Sequence, residues 1–342
     1  MFFKFNMTSH LINRVINFLF HSLNKITNFY FTFHARPKFS EDLALNFINN
    51  KKIENKKTLI AIVMQGPLII RDNFTRETLN LYTKFFPNYK LILSTWKHSD
   101  QASVEFIKKL GVEIILNDYP KNSGISNINL QIVSTSAGIK KAKEIGCKYV
   151  LKTRTDQRIY SKQSISLCYS FIKQFPLSKK YNQDERIVSF NLNTFKFRPY
   201  GISDMINFGN INDMIKYWCI ELDPRLKTDE IAKDTLIDWA KQRYGEVYFV
   251  TSFLNNINRR IHWTLDDSWQ VMSENFCILN INEIDLYWIK YTNKEFRHQD
   301  YKLTKFQQFN FSDWFILQSN ISNIPAEDFI NEQLSILDNK KY

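Results

Sequence analysis

Between Thr58 and Thr153 the chain alternates short apolar runs with amphipathic stretches, and few folds accept that alternation. Thr58 to Met64 (TLIAIVM) has the length and β-branched content of a strand buried on both faces, and the turn residues Gln65-Gly66-Pro67 end it. Asp72 or Asn73 is expected to cap a helix carrying Phe74, Leu81, Tyr82 and Phe85, stopped by Pro87. Leu91 to Thr95 reads as a second strand. Ser99 is then expected to cap a helix with Val104, Ile107 and Leu110, closed by Gly111. Val112 to Leu116 is a third strand. A helix with Ile128, Ile132, Ile139, Ala142 and Ile145 on its inner face runs to Gly146, and Lys148 to Thr153 is a fourth strand. This β-α-β-α-β-α-β order predicts an α/β fold with a mostly parallel sheet covered by helices. Such sheets bind ligands beyond the carboxyl ends of their strands.

The second half is less regular. Ile187 to Phe190 reads as a strand, Ser203-Asp204-Met205 precedes an apolar stretch, and Ile231 to Tyr244 reads as helical, followed by an apolar continuation from Glu246 to Leu254. No Gly/Ser/Pro linker parts the halves, so they are expected to form one fused unit. The last residues carry few signals.

The chain has 342 residues and a formal net charge of +12, unevenly spread. Residues 1–57 hold nine Lys or Arg against three Asp or Glu, a net of +6. Within them Leu11, Ile12, Val15, Ile16, Phe18, Leu19 and Phe20 interleave with Asn13, Arg14, His21 and Lys25. That pattern predicts a basic amphipathic helix, lying on an anionic membrane or packed on the protein body. It lacks the clean apolar run and small-residue cleavage site of a secretory signal. No run of about 18 apolar residues suggests a transmembrane helix. A basic chain suits anionic partners, whether nucleic acid, acidic lipid headgroups or phosphorylated substrates, but no nucleic-acid module is recognisable. Cys147, Cys168, Cys219 and Cys277 have neither metal-like nor disulfide-framework spacing, as expected of reduced thiols in a cytoplasmic protein.

The most informative stretch is Lys152-Thr153-Arg154-Thr155-Asp156-Gln157-Arg158. Strand periodicity would put Lys152, Arg154 and Asp156 on one side. A carboxylate there could hold a divalent cation that grips a diphosphate, with Arg154 and Arg158 neutralising further phosphate charge. A local ion-pair cluster is the other reading. Gln65, Gly66 and Pro67, then Thr95 and Trp96, follow strands one and two and are candidate contacts for a nucleoside. Asn127 and Gln131, with Ser134, line a helix start where amides could meet sugar hydroxyls or phosphate, although capping alone would explain Asn127. Asp204 and Glu246 add carboxylates from the second half. Either could take a proton from an acceptor hydroxyl, or serve only as an ion-pair partner.

These pieces, in order, resemble the WavE family of lipopolysaccharide-synthesis proteins and, more distantly, GT-A glycosyltransferases. The resemblance rests on VMQGP (Val63 to Pro67), LSTW (Leu93 to Trp96), the Asn129-Leu130-Gln131-Ile132 helix with Gly138, YVLKTRTDQR (Tyr149 to Arg158), SDMINFG (Ser203 to Gly209) and GEVYF (Gly245 to Phe249). It implies a GT-A-like Rossmann-type mixed sheet and transfer of a sugar from a nucleotide-sugar donor to a lipopolysaccharide or other surface glycan. With the cysteine pattern and the basic N-terminal segment, a cytoplasmic enzyme in peripheral contact with the inner membrane is expected. The expected organisation is a basic segment at 1–57, a transferase domain at 58–300 (donor half 58–160, acceptor half 161–300) and an extension at 301–342. The resemblance also implies Mg²⁺ or Mn²⁺ at Asp156. The usual acidic pair is replaced here by Arg154-Thr155-Asp156, with one acid. A nucleotidyltransferase, or a basic nucleic-acid-binding or scaffold protein, is the alternative reading of the same features.

Overall fold

A computed structural model describes residues 5–27, 36, 38, 59–177, 181–226, 235–291 and 307–319. The chain divides into two compact units, 1–48 and 49–342, described separately. In the first, helix α1 (Phe5–Ile26) exposes Val15, Phe18, Leu19, Leu23 and Ile26. Their three- and four-residue spacing gathers them into one apolar stripe. No described helix is long and apolar enough to cross a membrane.

In the second unit β1 (Ile60–Gln65), β2 (Lys90–Trp96), β3 (Glu113–Asn117) and β4 (Tyr149–Arg154) run parallel in the order β3-β2-β1-β4. Helices α2 (Phe74–Phe85), α3 (Gln101–Lys109) and α4 (Ile128–Glu144) connect them. Every residue of β1 is buried, as its unbroken apolar run requires of a central parallel strand. Ile128, Ile132, Ile139 and Ala142 form the buried side of α4.

Two helix starts differ from expectation. Asn73 does precede α2, but its backbone is left-handed (φ 50°) and its side chain makes no capping bond. Asp100, not Ser99, caps α3, accepting from the Ser103 N–H at 2.7 Å. The Ser99 N–H closes a turn onto the Trp96 carbonyl one residue too early to start the helix.

The second half extends the same sheet. β6 (Ile187–Phe190), β7 (Asn207–Asn210) and β8 (Phe276–Leu279) complete the order β3-β2-β1-β4-β7-β6-β8. Among the described strands of this sheet only β7 runs against its neighbours, pairing antiparallel with β4 and β6, while β6 and β8 are parallel. The start of β7 (Asn207) lies opposite Lys152, near the carboxyl end of β4. A two-stranded sheet joins β5 (Gln157–Ile159) to β9 (Leu286–Trp288) and so brings a distant segment to the same end. Helices α5 (Ser164–Gln174), α6 (Ile211–Trp218), α7 (Leu236–Lys241), α8 (Glu246–Asn256), α9 (Leu265–Asn275) and α10 (Phe311–Gln318) complete the described elements. Of the helix expected over Ile231 to Tyr244, residues 231–234 lie outside the described residues. The architecture is the α/β, mostly parallel mixed sheet with flanking helices expected of a GT-A-like fold. All four cysteines are free thiols.

Candidate active site

The carboxyl ends of β1 and β4 bring together residues from both halves of the unit. Gln65 ends β1 in register with Arg154 at the end of β4. Its buried Oε1 accepts from the Ser134 hydroxyl of α4 at 2.7 Å. Gly66 follows with φ +122°, and a Cβ there would stand 2.8 Å from Thr155 Oγ1. The Thr155 hydroxyl donates to the Pro67 carbonyl at 2.6 Å, so the two loops are tied together at their base. The Gln131 Oε1, one turn before Ser134 on α4, is buried and has no hydrogen-bond partner among the described residues. Asn127 precedes α4 in the left-handed region (φ 61°) with no side-chain capping bond.

Thr95 is buried and its hydroxyl pairs with Ser99 at 2.9 Å. Trp96 is buried too, because Tyr119 stacks on it at 4.4 Å between ring centroids. The exposed aromatic face at these strand ends therefore belongs to Tyr119, which no motif in the sequence marks.

Asp156 sits in the turn between β4 and β5. The sequence places it at an open strand end; the structure buries it, at 8% exposure. Arg154 grips it through two bonds, Nε to Oδ1 and Nη2 to Oδ2, both 2.9 Å. The Trp288 indole Nε1 donates to Oδ2 at 2.9 Å, and the ring lies 5.5 Å from the Arg154 guanidinium. Burial works to raise the Asp156 pKa, but the bonds from Arg154 and Trp288 outweigh it and hold the carboxyl below its ordinary value. A carboxylate offers about four lone-pair sites. Three are used, and a dication would stand against a guanidinium. Among the described residues no three of His, Cys, Asp and Glu are grouped to hold a metal ion. As folded, these residues do not fit a resident cation.

Arg158 points elsewhere. Its guanidinium is buried, donating to Thr78 Oγ1 (2.9 Å), the Phe74 carbonyl (3.1 Å) and the Tyr160 hydroxyl (3.2 Å), and it lies over the Phe74 ring. It fastens β5 to α2 and is not brought to the ends of β1 and β4.

Asp204 and Glu246, separate in sequence, come together. Glu246 opens α8. Its oxygens are held by the Asn193 side-chain amide and by Arg198 at 3.6 Å. Burial raises its pKa, Arg198 opposes the rise, and the charge of Asp204 adds to it. Near both carboxyls, the buried Tyr217 hydroxyl has no described hydrogen-bond partner, and burial and the two acids push its pKa up. Asp204 is 6% exposed. Among the described residues nothing donates a hydrogen bond to its carboxylate. Of the three candidate acids it alone has both oxygens unengaged by described neighbours.

The loop that carries Asp204 is fixed by its backbone. The Ser203 carbonyl accepts from Ser189 Oγ (2.9 Å) and Asn207 Nδ2 (3.1 Å), and the Ser203 N–H donates to Thr194 Oγ1 (3.0 Å). The Lys152 ammonium donates to the carbonyls of Asp204 and Met205, the latter at 3.3 Å, and lies 4.4 Å from the Trp218 ring centroid. The sequence puts Lys152 beside Arg154 and Asp156, but not on the loop of residues 203–205. Such a buried position is signalled only by its neighbours in space.

The family described as WavE lipopolysaccharide synthesis matches residues 60–334. No curated protein matches the sequence. Among solved structures, the chain is similar to a mannose-1-phosphate geranyltransferase of Thermus thermophilus, at 12% identity over 39% of this chain and 41% of that one (TM-score 0.27). It thus spans less than half of that protein. It is also similar to a cytidylyltransferase of Leptospira borgpetersenii, at 12% identity over 84% of this chain and 99% of that one (TM-score 0.33). A glycosyltransferase involved in glycosylating the major capsid of PBCV-1 is 14% identical over 47% and 65% of the two chains (TM-score 0.26). Likenesses this distant carry no argument about activity. The family match, covering most of the chain, does carry one: this protein belongs to the WavE lipopolysaccharide synthesis family.

Proposed function

We propose that the chain is a glycosyltransferase that moves a sugar from a nucleotide-sugar donor to a lipopolysaccharide or other surface-glycan acceptor. The observation that carries this reading is Asp204, buried on a braced loop with a carboxylate that no described neighbour occupies. A base needs to be positioned and open to a substrate proton in this way. The acceptor hydroxyl oxygen attacks the anomeric carbon, the bond from that carbon to the phosphate oxygen breaks, and the nucleotide leaves with the electron pair. Asp204 takes the hydroxyl proton. Gln65, Gly66, Pro67 and Gln131 border the donor crevice, and Arg154 is the phosphate-facing cation at its floor. Asn127, Thr95 and the Trp96–Tyr119 stack stand at neighbouring strand ends, toward the nucleoside.

The Mg²⁺ or Mn²⁺ implied by GT-A enzymes belongs to this proposal as an ion that travels with the donor diphosphate, not one that Asp156 holds in advance. A panel of UDP-, GDP-, dTDP- and CMP-sugars, assayed with and without chelator, tests the reading. Release of nucleoside diphosphate or monophosphate is expected. Release of pyrophosphate from a nucleoside triphosphate supplied with a sugar 1-phosphate would establish nucleotidyl transfer instead, and no turnover with any donor would leave a binding or scaffold protein.

The α1 stripe gives the enzyme its place. The first acidic residue of the sequence is Glu41, after five Lys or Arg. An apolar stripe on a segment of that charge suits the surface of an anionic bilayer, on the cytoplasmic side of the inner membrane. Vesicles of phosphatidylglycerol should retain the full chain and release a chain starting at Lys38. Equal retention of both would remove the membrane role.

A further inference from the structure

The acceptor-side loop and the donor-side strand are joined by one buried charge. Lys152 belongs to β4, two residues before Arg154. Its ammonium is fully buried, and what it bonds to is the peptide oxygens of Asp204 and Met205. Ser189 of β6 and Asn207 of β7 hold the preceding carbonyl. Three adjacent carbonyls on one loop are therefore bound by side chains from three strands. Buried carbonyls are paired with backbone, side chains or water. Using a buried ammonium for this costs free energy unless its charge is paired and hydrogen-bonded.

We propose that Lys152 is a positioning residue of the transfer reaction, holding the Asp204 loop in register with the β4 end. This rests on the reading of Asp204 as the base. The groups that bear on Lys152 are Asp204 on the loop, Arg154 on β4 and Asp156 in the turn after it. Glu246 at the start of α8, with Arg198 beside it, and Tyr217 of α6 surround Asp204 in turn. Burial lowers the Lys152 pKa to about 7, with Asp204 pulling it up and Arg154 pushing it down. The ammonium is thus poised to lose its proton at mildly alkaline pH, and the seat of Asp204 should loosen with it.

The test compares the full chain with its Lys152→Arg and Lys152→Met variants, scoring nucleoside diphosphate released from the best donor of the UDP-, GDP- and dTDP-sugar panel between acid and alkaline pH. The parent should show a falling limb in kcat above neutrality. Lys152→Met should lose about 10²-fold in kcat, the scale of a displaced reacting group, with donor KM changed less than about threefold. Lys152→Arg keeps its charge at every accessible pH, so it should recover much of the rate and lose the falling limb. A limb unchanged in Lys152→Arg, or a Lys152→Met defect confined to KM, overturns the proposal. Should neither variant fold, hydrogen exchange in the parent decides. Amides of residues 203–206 should lose protection relative to β1 and β4 as pH rises past neutral, and flat relative protection overturns the proposal. Failure of the parent itself to turn over any donor would mark the glycosyl-transfer reading, and this one with it, as wrong.

Discussion

The indole of Trp288 and the carboxylate of Asp156 are joined by a 2.9 Å hydrogen bond across 132 positions of sequence. The bond forms because β9 pairs with β5, which sets Trp288 opposite Gln157. Trp288→Phe keeps a ring over Arg154 but removes the donor from a buried charged acceptor. A loss of about 1.5–3 kcal/mol is expected, read as a lower urea midpoint at unchanged m-value. No loss would mean that Arg154 alone satisfies Asp156.

The two acceptor-side acids should separate cleanly in kinetics. Asp204→Asn should lower kcat by about 10²–10⁴-fold while leaving donor affinity intact. Glu246→Gln, whose side chain is already held by Asn193 and Arg198, should cost less than about tenfold. Single-turnover rates at saturating donor distinguish the two. The reverse ranking would transfer the base role to Glu246.

Gly138 of α4 rests on Val63 of β1, and a Cβ on the glycine would overlap Val63 Cγ1. Alanine is the better helix former by about 1 kcal/mol, yet overpacking a fixed strand costs about 1–3 kcal/mol. The clash should win, so Gly138→Ala should lower the thermal midpoint. Adding Val63→Ala should return part of that loss, which a double-mutant cycle measures. Additive effects would show that the two residues do not press on each other.

Stability should fall as pH rises from about 4 to about 6 through Asp213. Burial, with the charge of Asp184, pushes its pKa up to about 6, against the N–H groups of Asp184 and Glu185 and the Lys216 ammonium. Between the unfolded value of 3.8 and the folded one, the native state binds more protons, so its advantage is present below 3.8 and lost by about 6. Lys152 does not interfere, being protonated in both states below about 7. Urea midpoints across that window should slope downward in the parent and flatten in Asp213→Asn. An equal slope in both would assign it to another group.

Much of the sheet's first half was legible because each element there is local. β1 to β4 alternate with helices whose apolar spacing needs no knowledge of the rest, and the strand ends mark the crevice. The strand-end positions of Gln65, Gly66 and Arg154 were legible in the same way, because they follow from where strands stop. What was not legible depends on partners distant in sequence. Asp156 looks open until β9 delivers Trp288. Arg158, two residues on, falls on the face that packs against α2. Trp96 looks available until Tyr119 covers it. The burial of Lys152 depends on Trp218 and on the path of residues 203–205, neither of which shows in a periodicity.

The single reversed strand, β7, has a consequence for how such a protein can change. Parallel strands deliver to the crevice only the loops that follow them. By running backwards, β7 delivers the loop that precedes it, so Asp204 arrives from a direction none of the donor-side loops share. Under the proposed reading, the two sides of the reaction are thereby written in unconnected stretches of the gene. Grafting residues 200–206 from a relative would exchange the loop proposed to face the acceptor while Gln65, Gly66 and Arg154 stay as they are. A change of acceptor would then be open to this architecture without a change of donor.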